Sequence, residues 1–260
     1  MNIHFHKYQG TGNDFILIDN RQSQLRLAKE QVAFLCHRHY GIGADGLMLL
    51  QNEEGHDFRM VYYNSDGGES TMCGNGGRCI TAFAQRLGMI ANTANFVAID
   101  GPHSATIAQD GIISLKMVDV IDINHHVNYS ILNTGSPHYV AWVEDAQEAP
   151  VVASGREIRY ANEFAAGGGI NVNFVQKLKN GLLVRTYERG VEDETLSCGT
   201  GVTASAIAAS GAETGSFSIP IQTPGGNLNV SFTKPAAGVA NDVVLSGPAT
   251  FVFEGDIELK

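Results

Sequence analysis

The sequence predicts an α/β protein whose two halves repeat one pattern of strand, loop, cysteine and helix. Short runs rich in β-branched and aromatic residues recur between Gly, Asn and Asp turns, which favours sheet. Ser70-Thr71-Met72-Cys73-Gly74-Asn75-Gly76 and Thr195-Leu196-Ser197-Cys198-Gly199-Thr200-Gly201 share Cys-Gly-x-Gly, and each stands about ten residues after a strand ending in tyrosine, Tyr63 or Tyr187. Such internal similarity predicts two units of one design.

In chain order, Met1 to Lys7 alternates polar and apolar residues as a half-buried strand does, and Phe15 to Asp19 is the next strand. Ala28, Val32, Leu35 and Cys36 recur at helical spacing and predict a helix from about Ala28 to His37. Cys36 reads as core, because an unbridged buried cysteine packs like a small hydrophobe. Met60 to Tyr63 is a strand, and a helix begins just after Cys73 with Ile80, Phe83 and Leu87 on its apolar face and Gly88 as its stop. Phe96 to Ile99 and Ser114 to Val118 follow as strands, and the domain boundary falls between Val118 and Asn128. Val172 to Gln176 and Leu182 to Tyr187 are strands of the second half. A third helix begins just after Cys198, carries Val202, Ala206 and Ile207, and ends by Gly211. Val243 to Glu258 has strand character and is expected to return to the first half. The domains expected are therefore residues 1–120, completed by 247–260, and residues 121–246.

A length of 260 residues, 43% of them hydrophobic, allows two small domains with real cores. Acidic residues outnumber basic ones 27 to 17, and no run of Lys or Arg offsets the net charge of -10, which argues against nucleic acid as a partner. No stretch approaches the roughly 20 consecutive apolar residues of a membrane span. The N-terminus lacks the apolar core of a signal peptide, so a cytoplasmic protein is expected. In a reducing compartment Cys36, Cys73, Cys79 and Cys198 are not expected to form disulfides. Several of the 30 glycines cluster beside polar residues, where main chain can approach a ligand closely.

A cysteine followed by Gly-x-Gly at the start of a helix sits where unpaired N–H groups and the positive end of the helix dipole converge. That setting favours the thiolate, and the same N–H groups suit a carboxylate. Inverting a carbon that bears hydrogen requires taking a proton from one face and delivering one to the other, a task one thiolate and one thiol can share. A carbanion beside a carboxylate needs an electron sink such as pyridoxal phosphate, or electrostatic help of the kind two helix N-termini supply. Cys73 and Cys198 are thus the candidate acid/base pair, and the cleft between the domains is the expected site. The competing reading is that both are small residues at tight turns.

Other motifs stand around them: Gly10-Thr11-Gly12-Asn13-Asp14-Phe15 near the start, Asn64-Ser65-Asp66-Gly67 leading to Cys73-Gly74-Asn75-Gly76-Gly77-Arg78, Ser136-Pro137-His138, Asn171-Val172-Asn173-Phe174, and Tyr187-Glu188-Arg189-Gly190. With the two cysteine loops they resemble the diaminopimelate epimerase family over nearly the whole chain. The resemblance implies two α/β domains, each a barrel-like sheet around a central helix, with the substrate closed between them. It implies epimerisation of LL- to meso-diaminopimelate, a step toward lysine and peptidoglycan precursors, by Cys73 and Cys198 without metal or pyridoxal phosphate. By the same carry-over, Asn13, Asn64, Asn171 and Arg189 hold the distal amino-acid end of the substrate. Backbone N–H groups of Gly74, Asn75, Gly199 and Thr200 hold the reacting carboxylate. His138 and Glu188 lie near the thiols and tune them, with Glu188 also at the substrate. A homodimer is implied, with Phe253 at its interface.

The chain departs from the family pattern at Gly46, where many members have Gln after Gly-x-Asp, at Ser136, where many have Asn before Pro-His, and at Gly68, where Ser is usual. The first two are expected near the substrate. A racemase of the same fold for proline, hydroxyproline or histidine is the nearest alternative, although proline racemases usually carry His in place of Asn75. Asn75 and Arg189 suit a substrate with a second polar end. A thiol redox protein or a non-catalytic ligand-binding module is the alternative of a different class. Cys73 with Cys79, His4 with His6, and His37 with His39 each lack the further ligands of a metal shell.

Overall fold

The computed structural model describes residues 1–22 and 24–259. The chain begins with β1 (Asn2–Gly10), β2 (Asn13–Asp19), α1 (Lys29–Cys36), β3 (Gly46–Gln51), β4 (Phe58–Asn64) and β5 (Glu69–Ser70). It continues through α2 (Gly74–Arg86), β6 (Thr93–Ala98), β7 (Gly101–Ile107), β8 (Ile113–Lys116), β9 (Ile123–His125), β10 (Tyr129–Asn133) and β11 (Pro137–Trp142). Then follow α3 (Val151–Arg159), α4 (Asn162–Ala165), β12 (Asn171–Leu178), β13 (Gly181–Glu188), β14 (Asp193–Thr195) and α5 (Gly199–Ala209). The last strands are β15 (Gly215–Thr223), β16 (Gly226–Ala236), β17 (Val239–Gly247) and β18 (Thr250–Glu258). Two units result, one of Met1–Leu115 with Pro248–Lys260 and one of Lys116–Gly247.

In the first unit, β1 pairs antiparallel with β2, β2 parallel with β3, and β3 antiparallel with β4. β4 then pairs parallel with β6, which leads into the antiparallel run β6, β7, β8. Parallel pairs require crossovers, and α1 and α2 provide them. Alternate residues of β2 and β3 face opposite helices: Ile16, Ile18, Leu47 and Leu49 pack with Val32 and Leu35 of α1, while Met48 reaches Gly76 of α2. A strand covered on both faces reads as a continuous apolar run rather than an alternation, which is why Gly46–Gln51 carries no period-2 signal in the sequence. Helix α2 is buried around most of its circumference and packs on β1, β2, β3 and β7, so it is the central helix of this sheet.

The second unit repeats the order strand for strand. β10 pairs antiparallel with β11, β11 parallel with β12, β12 antiparallel with β13, and β13 parallel with β15, which leads into β15, β16, β17. Helix α5, made of small and apolar residues, is buried against seven strands, β10 to β13 and β15 to β17. The similarity read from two cysteine loops is therefore a repeat of whole topology. Helices α3 and α4, which have no counterpart in the sequence-based expectation, fill the crossover from β11 to β12. The sequence Val151-Val-Ala-Ser-Gly-Arg-Glu-Ile-Arg159 hides α3 because Gly155 weakens a helix interior. Here Gly155 is required, since a Cβ would stand 2.4 Å from Cβ of Tyr187.

The strand character of Val243 to Glu258 resolves into two strands in different units. Residues up to Gly247 belong to β17 and pair with β16, and Pro248 and Ala249 break the run. β18 then pairs with β1 from Asn2↔Glu258 to Gln9↔Thr250, taking beside β1 the place that β9 takes beside β10. Other bounds shift by a few residues: Ile99 and Val118, expected in strands, lie beyond β6 and β8 and are exposed. The first helix lies one residue inside the expected range at each end, with Ala28 and His37 as its caps.

Candidate active site

Each unit carries one of the two cysteine loops, at the N-terminus of its central helix. In the first unit Cys73 is the N-cap of α2, in extended conformation, and its Sγ accepts from the Gly76 N–H at 3.2 Å. Gly74 and Asn75 open α2, where the first N–H groups have no acceptor within the helix itself. A side chain at Gly76 would meet Met48 Cε at 2.7 Å and Cys73 Sγ at 3.1 Å, so the cap needs glycine there.

The loop of Thr11 and Gly12 joins β1 to β2, and both residues have positive φ, 49° and 85°. Thr11 is held in this unfavourable conformation by Asn75 and Arg78, since its hydroxyl donates to Asn75 Oδ1 (3.4 Å) and accepts from Arg78 Nη2 (3.3 Å). Asn75 Nδ2 donates to Asn13 Oδ1 (3.3 Å), and Asn13 Nδ2 to Asp45 (2.7 Å). Asn13, Asn75 and the Cys73 loop are thereby brought together. Asn64 closes β4 opposite Gly46, exposed at the start of a turn in which Gly67 adopts positive φ against the Lys29 carbonyl. Arg78, a residue to which the sequence reading gave no role, is fully buried and also donates to the carbonyls of Gly74 and Pro248.

In the second unit Cys198 caps α5 and is 6% exposed, with its sulfur 3.5 Å from Oγ1 of Thr200. His138 is fully buried on β11, between Nδ2 of Asn173 at Nδ1 (3.1 Å) and the Ser136 hydroxyl at Nε2 (3.0 Å). Burial, and then the charge of Arg189, push its pKa down to about 3, so it stays a neutral imidazole. Ser136 Oγ lies 3.2 Å from Thr200 Oγ1 and accepts from Asn171 Nδ2 at 3.2 Å. Asn171 Oδ1 accepts the Arg189 N–H (2.8 Å), and the Arg189 guanidinium donates to the Gly169 carbonyl (3.4 Å). Among the described residues Arg189 makes no ion pair, which leaves its fork for an anion. Glu188 ends β13 and is half-buried beside Arg189. A side chain at Gly201 would stand 2.3 Å from Asn173 Oδ1, so the helix turn lies directly on the buried amide.

The profile of the family described as diaminopimelate epimerase matches residues 5–120 and 130–252. The chain belongs to the diaminopimelate epimerase family. A diaminopimelate epimerase of Flavobacterium psychrophilum is 52% identical over 259 residues, covering 97% of this chain and 99% of that one. One from Chlorobaculum tepidum is 40% identical over 260 residues, covering 96% and 99%. Among solved structures, a Bacillus anthracis phenazine biosynthesis protein of the PhzF family superposes with a TM-score of 0.79 at 12% identity over 100% of both chains. A hydroxyproline epimerase from Agrobacterium vitis superposes with a TM-score of 0.71 at 14% identity, covering 98% of this chain and 92% of that one. At such identities these likenesses carry the two-domain pseudo-repeat fold alone.

Two of the three departures from the family pattern, Gly46 and Ser136, acquire a structural setting. A Cβ at Gly46 would lie 2.6 Å from Tyr62 Cε2 and 3.1 Å from its hydroxyl, so the Tyr62 ring fills the space that a side chain at this position would enter. Ser136 links His138, Asn171 and Thr200 through one hydroxyl. The other two cysteines, Cys36 and Cys79, are buried. Burial pushes the Cys36 thiol up to about 12 and raises that of Cys79, fully buried, as well, so both favour the protonated, less nucleophilic thiol.

The fold adds Glu254 to the pair His4 and His6, one ligand atom of each lying within 4.8 Å of the others. His6 faces Glu254 (3.3 Å) and His4 faces Asp256 (3.2 Å) across the ladder of β1 and β18. Glu254 is also bound by Arg86 at 3.0 Å, and Nδ1 of His6 is buried without a hydrogen-bond partner. A metal-bound imidazole needs its second N–H satisfied, and the Arg86 charge opposes a cation, so the cluster suits polar pairing between strands rather than a metal.

Proposed function

We propose that the protein interconverts LL- and meso-diaminopimelate without metal or pyridoxal phosphate, using Cys73 and Cys198 as its acid/base pair. The observation that carries this is the same in both units: a cysteine caps the buried helix of its sheet, with a hydrogen-bonding group on its sulfur. The thiolate of one cysteine removes the α-proton, and the thiol of the other delivers a proton to the opposite face. The roles exchange in the reverse reaction, and before a second turnover in the same direction one proton must leave the first sulfur and one must reach the second by exchange with solvent. The substrate carboxylate rests on N–H groups of Gly74, Asn75, Gly199 and Thr200, whose positive helix ends oppose the charge that develops beside it. Arg189 reads the distal carboxylate, with Asn13, Asn64 and Asn171 around the distal amine and Glu188 beside it. That no carboxylate among the described residues pairs with the Arg189 guanidinium supports this assignment, as a planar guanidinium matches a carboxylate.

The net charge of -10 supports a small-molecule substrate over nucleic acid. No helix among the described residues is long and apolar enough to cross a membrane, and we place the protein in the cytoplasm as a homodimer. The decisive experiment is incubation with LL-diaminopimelate in heavy water, after chelator treatment and with no cofactor added. The meso isomer should appear with deuterium at its α-carbon. Cys73→Ala and Cys198→Ala should each reduce the rate by at least about 10²- to 10⁴-fold, the contribution of a positioned acid or base. The double variant should lose little more, since groups acting as a unit are not additive. A near-unaltered rate in either single variant would remove the two-base mechanism, and loss of activity to the chelator would remove its metal independence.

A further inference from the structure

We infer that Ser136 is a positioning residue which, with the Thr200 side chain, forms a one-way chain of hydrogen-bond donors running from His138 to the sulfur of Cys198. The inference rests on the reading of Cys198 as a catalytic thiol and deepens it.

The polarity of the chain is fixed at its buried end. Asn173 is fully buried, its Oδ1 accepts from the Thr186 hydroxyl (2.9 Å), and its Nδ2 donates to the Tyr139 carbonyl (3.1 Å). These two contacts orient the amide, so the second Nδ2 hydrogen points at Nδ1 of His138. Nδ1 must then accept, and a neutral imidazole carries its one proton on Nε2. That proton goes to Ser136 Oγ, 3.0 Å away. Asn171 supplies Ser136 with a second donor, and its own amide is oriented by the Arg189 N–H on Oδ1 and the Pro137 carbonyl on Nδ2. With both acceptor positions of the serine oxygen filled, its single proton is left for Thr200 Oγ1 at 3.2 Å. The Thr200 proton then faces the sulfur of Cys198.

The chain therefore ends as a donor on Cys198 and favours a thiolate there. A thiol S–H directed at Thr200 can share its oxygen with the Ser136 donor, but the Thr200 proton must then turn away from the sulfur, so the chain places a donor on Cys198 only in the thiolate form. His138 does not take up the thiol proton, because its free lone pair is occupied by Asn173 and its burial keeps it neutral. Its part is to hold the direction of the chain. In the first unit the corresponding donor is the Gly76 N–H, a backbone group that cannot reverse. Of the charged groups in the second unit, Arg189 at the end of β13 acts on His138, and the first turn of α5 has no acidic residue.

The test is the pH dependence of alkylation of each cysteine by iodoacetamide in the substrate-free enzyme, read peptide by peptide by mass spectrometry, so that Cys73 serves as an internal reference. Ser136→Ala should move the Cys198 midpoint up by about one pH unit, as loss of a hydrogen bond to the charged form does, and leave that of Cys73 in place. Thr200→Val should do the same through the next link. Thr200→Ser and Ser136→Asn, which keep a donor at each position, should restore the original midpoint. A Cys198 midpoint unmoved in both Ser136→Ala and Thr200→Val, or an equal shift of both cysteines, would overturn the chain. Because alkylation needs no turnover, these outcomes stand apart from the two-base mechanism, which fails instead if Cys198→Ala still epimerises.

Discussion

At the scale of single residues, Gly46 and Tyr62 form a pair that neither position reveals alone. An added Cβ at Gly46 meets the Tyr62 ring at 2.6 Å and the Tyr63 carbonyl at 2.8 Å. The ring can move, whereas the carbonyl belongs to the ladder between β3 and β4. Gly46→Gln should therefore destabilise by about 1–3 kcal/mol, the usual cost of overpacking, seen as a lowered Tm. Adding Tyr62→Ala should recover part of this loss. A double-mutant cycle checks the idea: coupling above about 0.5 kcal/mol is expected, and strictly additive effects would mean that the ring does not occupy that space. The departure at Gly46 is legible in the sequence; the compensating ring is not, because strand register decides that Met48 stands opposite Tyr62 and Gly46 opposite Asn64.

At the scale of elements, the start of β2 is tied to the segment after α1 by charge. The Asp14 carboxylate meets Lys7 at 2.7 Å and Arg38 at 2.8 Å, and Lys7 also donates to the Gly43 carbonyl. Burial pushes the Asp14 pKa up, but the hydrogen bonds from Arg38 and Lys7 outweigh it and hold it at about 2. A folded pKa below the unfolded value of about 3.9 means that the stabilisation is present above about pH 4 and is lost as pH falls toward 2. Its size is on the order of 2 kcal/mol. Asp14→Asn should be less stable at neutral pH and should lose less stability between pH 5 and pH 2, as followed by urea denaturation. Equal acid sensitivity in the two proteins would show that Asp14 is not the linked group. Helices were legible unevenly at this scale. α2 and α5 announce themselves because a cysteine cap and glycines sit within four residues of each other, while α3 depends on Gly155 lying against Tyr187.

At the scale of the whole molecule, β18 closes the first unit and leaves Val252 52% and Phe253 45% exposed, with the Phe253 ring edge-on to Phe5. Adjacent exposed apolar side chains on a strand suit a contact with a second copy, as the homodimer reading requires. The protein should run as a dimer in light scattering, and Phe253→Asp should shift it to a monomer with its circular dichroism unchanged. A monomer in the unaltered protein would remove that reading.

The sequence by itself determined the chemistry on offer: two cysteines, each followed by glycines that open a helix, are features of consecutive residues and survive without knowledge of the fold. It also determined the repeat, since the two loops and their preceding tyrosines recur in order. Only the tertiary structure decided what surrounds each sulfur. Asn173, His138, Ser136 and Thr200 come from β12, β11, the turn before it and α5, and Arg78 reaches Thr11 and Pro248 from the middle of α2. The reason is physical. Helix caps act between residues a turn apart, but the direction of a hydrogen bond, the room for a side chain and the pairing of β18 with β1 depend on distances between segments that the chain brings together only when it folds.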